Sequence, residues 1–163
     1  MKSVIYIRNF IFGVEDSLAS TVGLLSGVAA AGVPEATIIL TGLVLISVEA
    51  FSMAVGSFVS EESAEEYLKH GDVSPRKPFV GSLVMFFSYF VAGFIPLLPY
   101  AIMEVKSALV VSIILSLAAL FFLGVAGAEF GHTNKLKHGV KMFFIGGVAV
   151  LVGVVVGRLL SAL

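Results

Sequence analysis

Five apolar blocks, each long enough to cross a lipid bilayer, constrain the fold of this chain more than any other feature. A spanning helix needs about 20 predominantly apolar residues. The blocks cover residues 10–31, 36–59, 79–101, 106–129 and 141–161. Only 13% of the residues are charged, against about 25% in a typical soluble domain. We therefore predict an all-α membrane protein, in which residues 1–163 form a single five-helix transmembrane domain.

Basic residues predict the orientation of this bundle, because positively charged loops stay on the cytoplasmic side of a membrane. Most of the ten Lys and Arg residues fall at the N-terminus or in the connections after blocks two and four. Lys106 and Arg158 fall on the opposite side. We expect a cytoplasmic N-terminus, an outside C-terminus and a short acidic cytoplasmic loop at 60–78. A bundle of this size has little protein to enclose a pathway, so an oligomer is expected.

Several function classes are excluded by what the sequence lacks. There is no cysteine, which excludes disulfides, thiolate metal sites and cysteine nucleophiles. No Gly-rich phosphate loop, nucleophile–base arrangement or zinc-hydrolase motif is present, so we expect neither an enzyme nor an ATP-driven pump. The net charge of −1 does not indicate a nucleic-acid partner. The N-terminus does not have the pattern of a secretory signal, because Glu15 and Asp16 interrupt its apolar run.

Carboxylates inside the blocks are the first candidates for a functional site. An ionisable residue within a span is costly to bury and commonly lines a cavity or a transport path. Glu49 lies near the middle of block two, and Asp16 lies in the first third of block one. Glu15 is near enough to the surface to reach water. Met53 shares a helix face with Glu49; its thioether would favour late transition-metal ions, although a lone Met is more commonly a packing residue.

Small residues follow Asp16 at helical spacing on block one. They are Ser20, Gly23 and Gly27. Small side chains allow two transmembrane helices to approach closely. This face therefore predicts a close helix–helix or dimer contact beside Asp16.

A cluster of four carboxylates follows block two directly and comprises Glu61, Glu62, Glu65 and Glu66. Like charges at i, i+4 repel each other, and a hard divalent cation would relieve that repulsion. We expect either a cytoplasmic metal-capture site or a solvated helical extension paired with nearby basic residues.

Two local features are also predicted near the ends of the later blocks. Pro96 and Pro99 should break or kink the third helix close to the membrane surface. Glu129, near the end of block four, should pair with Lys135 or a neighbouring residue.

Three stretches of the sequence resemble motifs of a known family. FGVEDSLASTVGLLSGVAAAG in block one is similar to F-G-x-x-D-G-L-x-S-T. FSMAVGSFVSEESAEEY in block two is similar to S-M-x-x-G-x-[YF]-[VL]-S followed by an acidic stretch, and PLLPY lies in block three. With its five spans, the chain resembles the vacuolar iron transporter family, which exchanges Fe²⁺ or Mn²⁺ for protons. It resembles a short member that lacks the long cytoplasmic metal-binding domain of eukaryotic members.

The resemblance implies a homodimer whose first two spans line a pathway at the dimer interface, with Asp16 and Met53 handling the metal. Fe²⁺ or Mn²⁺ would be the transported ion, and no permanently bound cofactor is implied. The chain departs from the family pattern in span two. Leu45 stands where members often have a glutamate, and Glu49 supplies an acid one turn later. Ser57 stands where many members have a second glutamate. Glu49 would then be a relocated ligand or proton site.

The leading hypothesis is a dimeric divalent-metal/proton antiporter that removes Fe²⁺ or Mn²⁺ from the cytoplasm across a prokaryotic cytoplasmic membrane. A transporter of the same architecture for another solute is a second hypothesis, in which Glu49 is only a proton site. A third is a non-transporting scaffold or sensor, in which the intramembrane acids hold a dimer together and the acidic cluster recruits a partner.

Overall fold

The computed structural model describes the backbone of residues 2–162 and the side chains of residues 4–162. Within the described chain there are five α-helices and no strand. Their bounds are α1 Lys2–Ala30, α2 Glu35–Lys69, α3 Arg76–Ile102, α4 Val105–Phe130 and α5 Lys135–Ser161. All five are long and apolar enough to span a membrane. The predicted all-α, five-helix membrane fold is confirmed.

The helices follow the predicted blocks but run further at one end of the bundle. This end carries the start of α1 and the α2–α3 and α4–α5 connections, and we call it the basic end. The loop predicted at 60–78 is largely helical, because α2 continues to Lys69 and α3 begins at Arg76. A 35-residue helix is about 52 Å long, whereas the hydrocarbon core is about 30 Å thick. The last turns of α2 therefore extend beyond the membrane.

Two prolines lie inside α3 without ending it. Of the predicted break or kink at Pro96 and Pro99, the break is wrong, since the helix continues to Ile102. The Ser112 hydroxyl of α4 donates a hydrogen bond of 2.7 Å to the Pro96 carbonyl. Neighbouring helices and Ser side chains commonly satisfy backbone groups around prolines in membrane helices. Here α4 contacts the backbone of α3 beside the two prolines.

The α1 helix occupies the centre of the bundle and packs against all four others. It is the most buried of the five spans and α5 is the least. The α3 helix lies between α1, α2 and α4, and α4 packs against α5. One apolar cluster joins α1, α2, α3 and α4 around Leu25, Ile46 and Leu97. Because α1 contacts all four other helices, a polar residue on it can face any of them.

Glycines bring α1 and α5 into backbone contact. A methyl group on Gly153 of α5 would overlap the carbonyl oxygen of Gly23, and one on Gly157 would overlap that of Gly27. Such close approach provides van der Waals contact, which drives helix association in lipid. The small-residue face of α1 is therefore occupied, over Gly23 and Gly27, by a helix of the same chain.

Candidate functional site

Asp16 of α1 and Glu49 of α2 come together inside the bundle. Each side chain is half-buried, and the two carboxylates lie within electrostatic reach of each other. The helices are tightly packed at this level. A methyl group on Gly93 of α3 would lie 2.6 Å from Ile46 of α2 and 3.0 Å from the Ser17 hydroxyl of α1. Two negative charges from neighbouring helices therefore share a region where an uncompensated charge is costly.

A hydroxyl pair from α1 and α3 lies beside these carboxylates. The Ser20 and Tyr89 hydroxyl oxygens are 2.7 Å apart, and the Ser17 hydroxyl donates to the Tyr89 carbonyl at 2.6 Å. Tyr89 is fully buried and lies within electrostatic reach of Asp16 and Glu49. Sequence reasoning placed Ser20 on the Asp16 face but missed Tyr89. Its hydroxyl, one of a few polar groups in the mainly apolar third block, was the available signal.

Glu15, the chain neighbour of Asp16, lies within electrostatic reach of both Asp16 and Lys141. It is half-buried, and the nearest cation acting on it is Lys141, at the start of α5. Adjacent helical residues point about 100° apart, so the two acids interact with different helices. Lys141 provides Glu15 with a compensating charge, which sets Glu15 apart from the Asp16 and Glu49 pair.

Met53 lines a cavity of about 440 Å³ between α1, α2 and α3. This cavity lies one turn from Glu49 toward the basic end, because Met53 follows Glu49 by four residues on a helix that runs in that direction. We call it the thioether cavity. Its lining combines two methionines with several polar side chains, and comprises Arg8, Asn9, Phe12, Ser52, Met53, Gly56, Ser57, Ser60 and Met85. Sequence reasoning identified Met53 but missed Met85.

Hydrogen bonds fix the position of the three helices at the outer end of the thioether cavity. The buried Asn9 amide donates to the Ser57 hydroxyl at 2.9 Å and to the Gly81 carbonyl at 3.0 Å. One turn nearer the basic end, Arg8 donates to Glu61 at 2.7 Å. The Glu61 side chain is only 11% exposed, so this ion pair is largely shielded on the carboxylate side. Sequence reasoning missed Asn9, although an amide in an apolar stretch was a visible signal.

The four acidic residues after the second block do not act as one cluster in this arrangement. Glu61 pairs with Arg8, whereas Glu65 accepts hydrogen bonds from Lys69 at 3.1 Å and Lys77 at 3.2 Å. These bonds hold the pKa of Glu65 below its ordinary value. The remaining two, Glu62 and Glu66, have no ion pair among the described side chains.

Over residues 4–162 no three His, Asp or Glu side chains are grouped so that they could hold a metal ion. Glu129 pairs with Lys135 across the α4–α5 connection, as the sequence predicted.

Several curated proteins are similar to this chain over most of its length. It is 22% identical to "Vacuolar iron transporter 1" of Arabidopsis thaliana, covering 88% of this chain and 81% of the relative. It is 27% identical to "Vacuolar iron transporter homolog 2" of the same plant, covering 90% of this chain and 80% of the relative. It is 23% identical to "VIT-like transporter 1b" of Glycine max, covering 96% of this chain and 77% of the relative. These plant proteins give no support to the expected prokaryotic cytoplasmic membrane.

The first of these alignments is longer than this whole chain, since it runs over 203 positions against 163 residues. That relative therefore carries residues that this chain lacks, which agrees with the prediction of a short family member. A sequence model of the VIT family matches residues 7–74 and 71–158, so its two matches meet in the α2–α3 connection. The chain belongs to the VIT family, a family of membrane transporters rather than enzymes.

Proposed function

We propose that this protein is a proton-coupled transporter of Fe²⁺ or Mn²⁺ that moves the ion away from its basic end. The observation that carries this proposal is the convergence of Asp16 and Glu49 inside the bundle, next to the thioether cavity. Carboxylates and a thioether together suit first-row divalent ions better than Mg²⁺ or Ca²⁺. The relatives named as iron transporters support iron as a transported ion.

Charge balance explains why such a site would exchange a metal ion for protons. Two carboxylates in a region of low dielectric constant repel each other and are costly to leave ionised. One divalent cation neutralises both, and so do two protons. Metal would enter by the thioether cavity, and protonation of Asp16 and Glu49 from the opposite side would release it. The site then carries little net charge in either loaded state.

A homodimer would complete the coordination of the ion. The described residues of one protomer bring two carboxylates together but no third His, Asp or Glu. Transition ions in oxygen-rich sites commonly take more ligands than that. The α2 helix presents a largely exposed apolar face, including Val44, Val48, Phe51 and Val55. Two copies that meet along α1 and α2 would place a second set of carboxylates across a two-fold axis.

Metal uptake into proteoliposomes tests the proposal. Asp16→Asn and Glu49→Gln should each lower the initial rate of Fe²⁺ uptake by at least about tenfold, as loss of groups around a metal site commonly does. Glu15→Gln is the matched control and should retain the wild-type rate, because Lys141 compensates the charge of Glu15 and Glu49 does not act on it. Circular dichroism at 222 nm verifies that all variants remain helical.

Two outcomes would contradict the proposal. Fe²⁺ uptake that is unchanged by Glu49→Gln and by collapse of the pH gradient would rule out this mechanism. A proton leak without saturable metal binding would instead favour transport of a different solute through the same architecture.

A further inference from the structure

A second methionine, Met85 of α3, lines the thioether cavity. Asn9 of α1 bonds to Ser57 of α2 and to Gly81 of α3, which fixes these three positions at one level of the bundle. Moving one turn inward, toward the carboxylates, leads to Gly13 on α1, Met53 on α2 and Met85 on α3. Met53 and Met85 therefore lie at the same level, and both line the thioether cavity.

Gly13 of α1 packs closely against Met85 of α3. A methyl group on Gly13 would lie 3.2 Å from the Met85 sulfur and 3.0 Å from the Ser88 Cβ. The Met85 sulfur therefore lies against the side of α1 that carries no side chain at this position. Met85 is 2% exposed, so its sulfur is shielded from bulk solvent.

Two thioethers in one cavity would change the selectivity of a transport path. Carboxylate and carbonyl oxygens accept hard and borderline ions alike, whereas thioether sulfur favours softer ions. A single methionine is commonly a packing residue, and one thioether beside two carboxylates discriminates weakly. A second thioether strengthens the preference for ions such as Fe²⁺ and Cd²⁺ over Mg²⁺, Ca²⁺ and, to a smaller extent, Mn²⁺.

We propose that Met85 supplies a second thioether to the ion as it passes Met53, and that this pair sets the preference for softer divalent cations. This inference rests on the proposed metal transport and names the residue that tunes its selectivity. Met85→Leu keeps the apolar volume and removes the sulfur. Volume-conserving exchanges of this kind in a core usually cost less than about 1.5 kcal/mol of stability.

Competition between Cd²⁺ and Mn²⁺ for uptake into proteoliposomes measures the selectivity directly. Met85→Leu should lower the Cd²⁺-to-Mn²⁺ uptake ratio by about tenfold, the size commonly seen when a group supporting a metal site is lost. Met142→Leu is the matched control, because Met142 of α5 packs against the apolar cluster of Leu18, Ala92 and Leu120 and does not line the cavity. It should leave the ratio unchanged. A ratio that Met85→Leu leaves at the wild-type value would overturn the proposal.

X-ray absorption on the Cd²⁺-loaded wild-type protein tests the same point without relying on transport or on a variant. The spectrum should show sulfur scatterers, and Met85→Leu and Met53→Leu should each lower that contribution by about half, since each removes one of two donors. Sulfur scattering that is lost in Met53→Leu but intact in Met85→Leu would show that Met85 only packs. If sulfur scattering follows this pattern but the wild type transports no metal, the thioether pair stands and the proposed transport fails.

Discussion

The close contact between α1 and α5 gives the sharpest stability prediction, because two glycines on the same helix have opposite surroundings. A methyl group on Gly153 would overlap the Gly23 carbonyl oxygen and would lie 2.7 Å from its carbon atom. A methyl group on Gly147 would have no heavy atom within 4 Å. We therefore compare Gly153→Ala with Gly147→Ala as matched variants.

The expected difference in stability between the two variants follows from these different surroundings. Alanine is favoured over glycine in a helix interior by about 1 kcal/mol, and both variants gain this term. Only Gly153→Ala forces two backbones apart, and overpacking of that kind costs about 1–3 kcal/mol. The difference in free energy of unfolding between the two variants should therefore be about 1–3 kcal/mol. For a chain of this length, each kcal/mol shifts the melting temperature by about 2–4 °C.

Thermal unfolding in detergent, followed by circular dichroism at 222 nm, measures this difference. The chain has no tryptophan and no cysteine, so the helical signal is a more practical probe than indole fluorescence or a thiol dye. Gly153→Ala should melt below Gly147→Ala, and Gly147→Ala should melt at or above the wild type. Equal melting temperatures for the two variants would refute the inferred backbone contact between α1 and α5.

Two further predictions concern the polar contacts at the basic end. Asn9→Leu removes two hydrogen bonds, one to the Ser57 hydroxyl and one to the Gly81 carbonyl. At about 0.5–1.5 kcal/mol for each bond, the loss of stability should be about 1–3 kcal/mol. The same melting assay measures this loss with Ser57→Ala as a milder comparison, and a loss no larger than that of Ser57→Ala would contradict the prediction. Lys69 and Lys77 hold the pKa of Glu65 below its ordinary value of 4.5. The stability that ionised Glu65 adds to the folded state is therefore fully present above pH 4.5 and is lost as the pH falls through the lowered pKa. The melting temperature of the wild type should therefore approach that of Glu65→Gln on acidification below pH 4.5, and a difference that is constant between pH 7 and pH 3 would contradict the assignment.

The number and type of helices could be predicted because each follows from a local property of the chain. An apolar block of about 20 residues has few alternatives to a spanning helix. The extension of α2 to Lys69 was also open to prediction, since Glu65 and Lys69 form a favourable i, i+4 pair. The predicted break in α3 is wrong because membrane helices tolerate proline where neighbouring helices pack against them, and the local sequence of α3 does not reveal that packing.

The candidate site was only partly accessible from the sequence. Asp16 and Glu49 stood out because each is an acid in an apolar segment. Identifying them requires no knowledge of how the helices pack. Tyr89 and Met85 become candidate site residues only because of the side chains that they approach on neighbouring helices. Periodicity assigns a residue to a face of its own helix, but it does not say which helix packs against that face. The register that Asn9 fixes between α1, α2 and α3 supplies this missing information.

Simultaneous measurement of metal and proton flux in proteoliposomes tests metal–proton exchange at Asp16 and Glu49 most directly. An imposed Fe²⁺ gradient without a pH gradient should drive protons in the opposite direction, with two protons for each ion if both carboxylates are protonated on release. Glu49→Gln should abolish the proton movement, whereas Glu15→Gln should leave it intact. Saturable Fe²⁺ transport by the wild type without any proton movement would contradict exchange at this carboxylate pair.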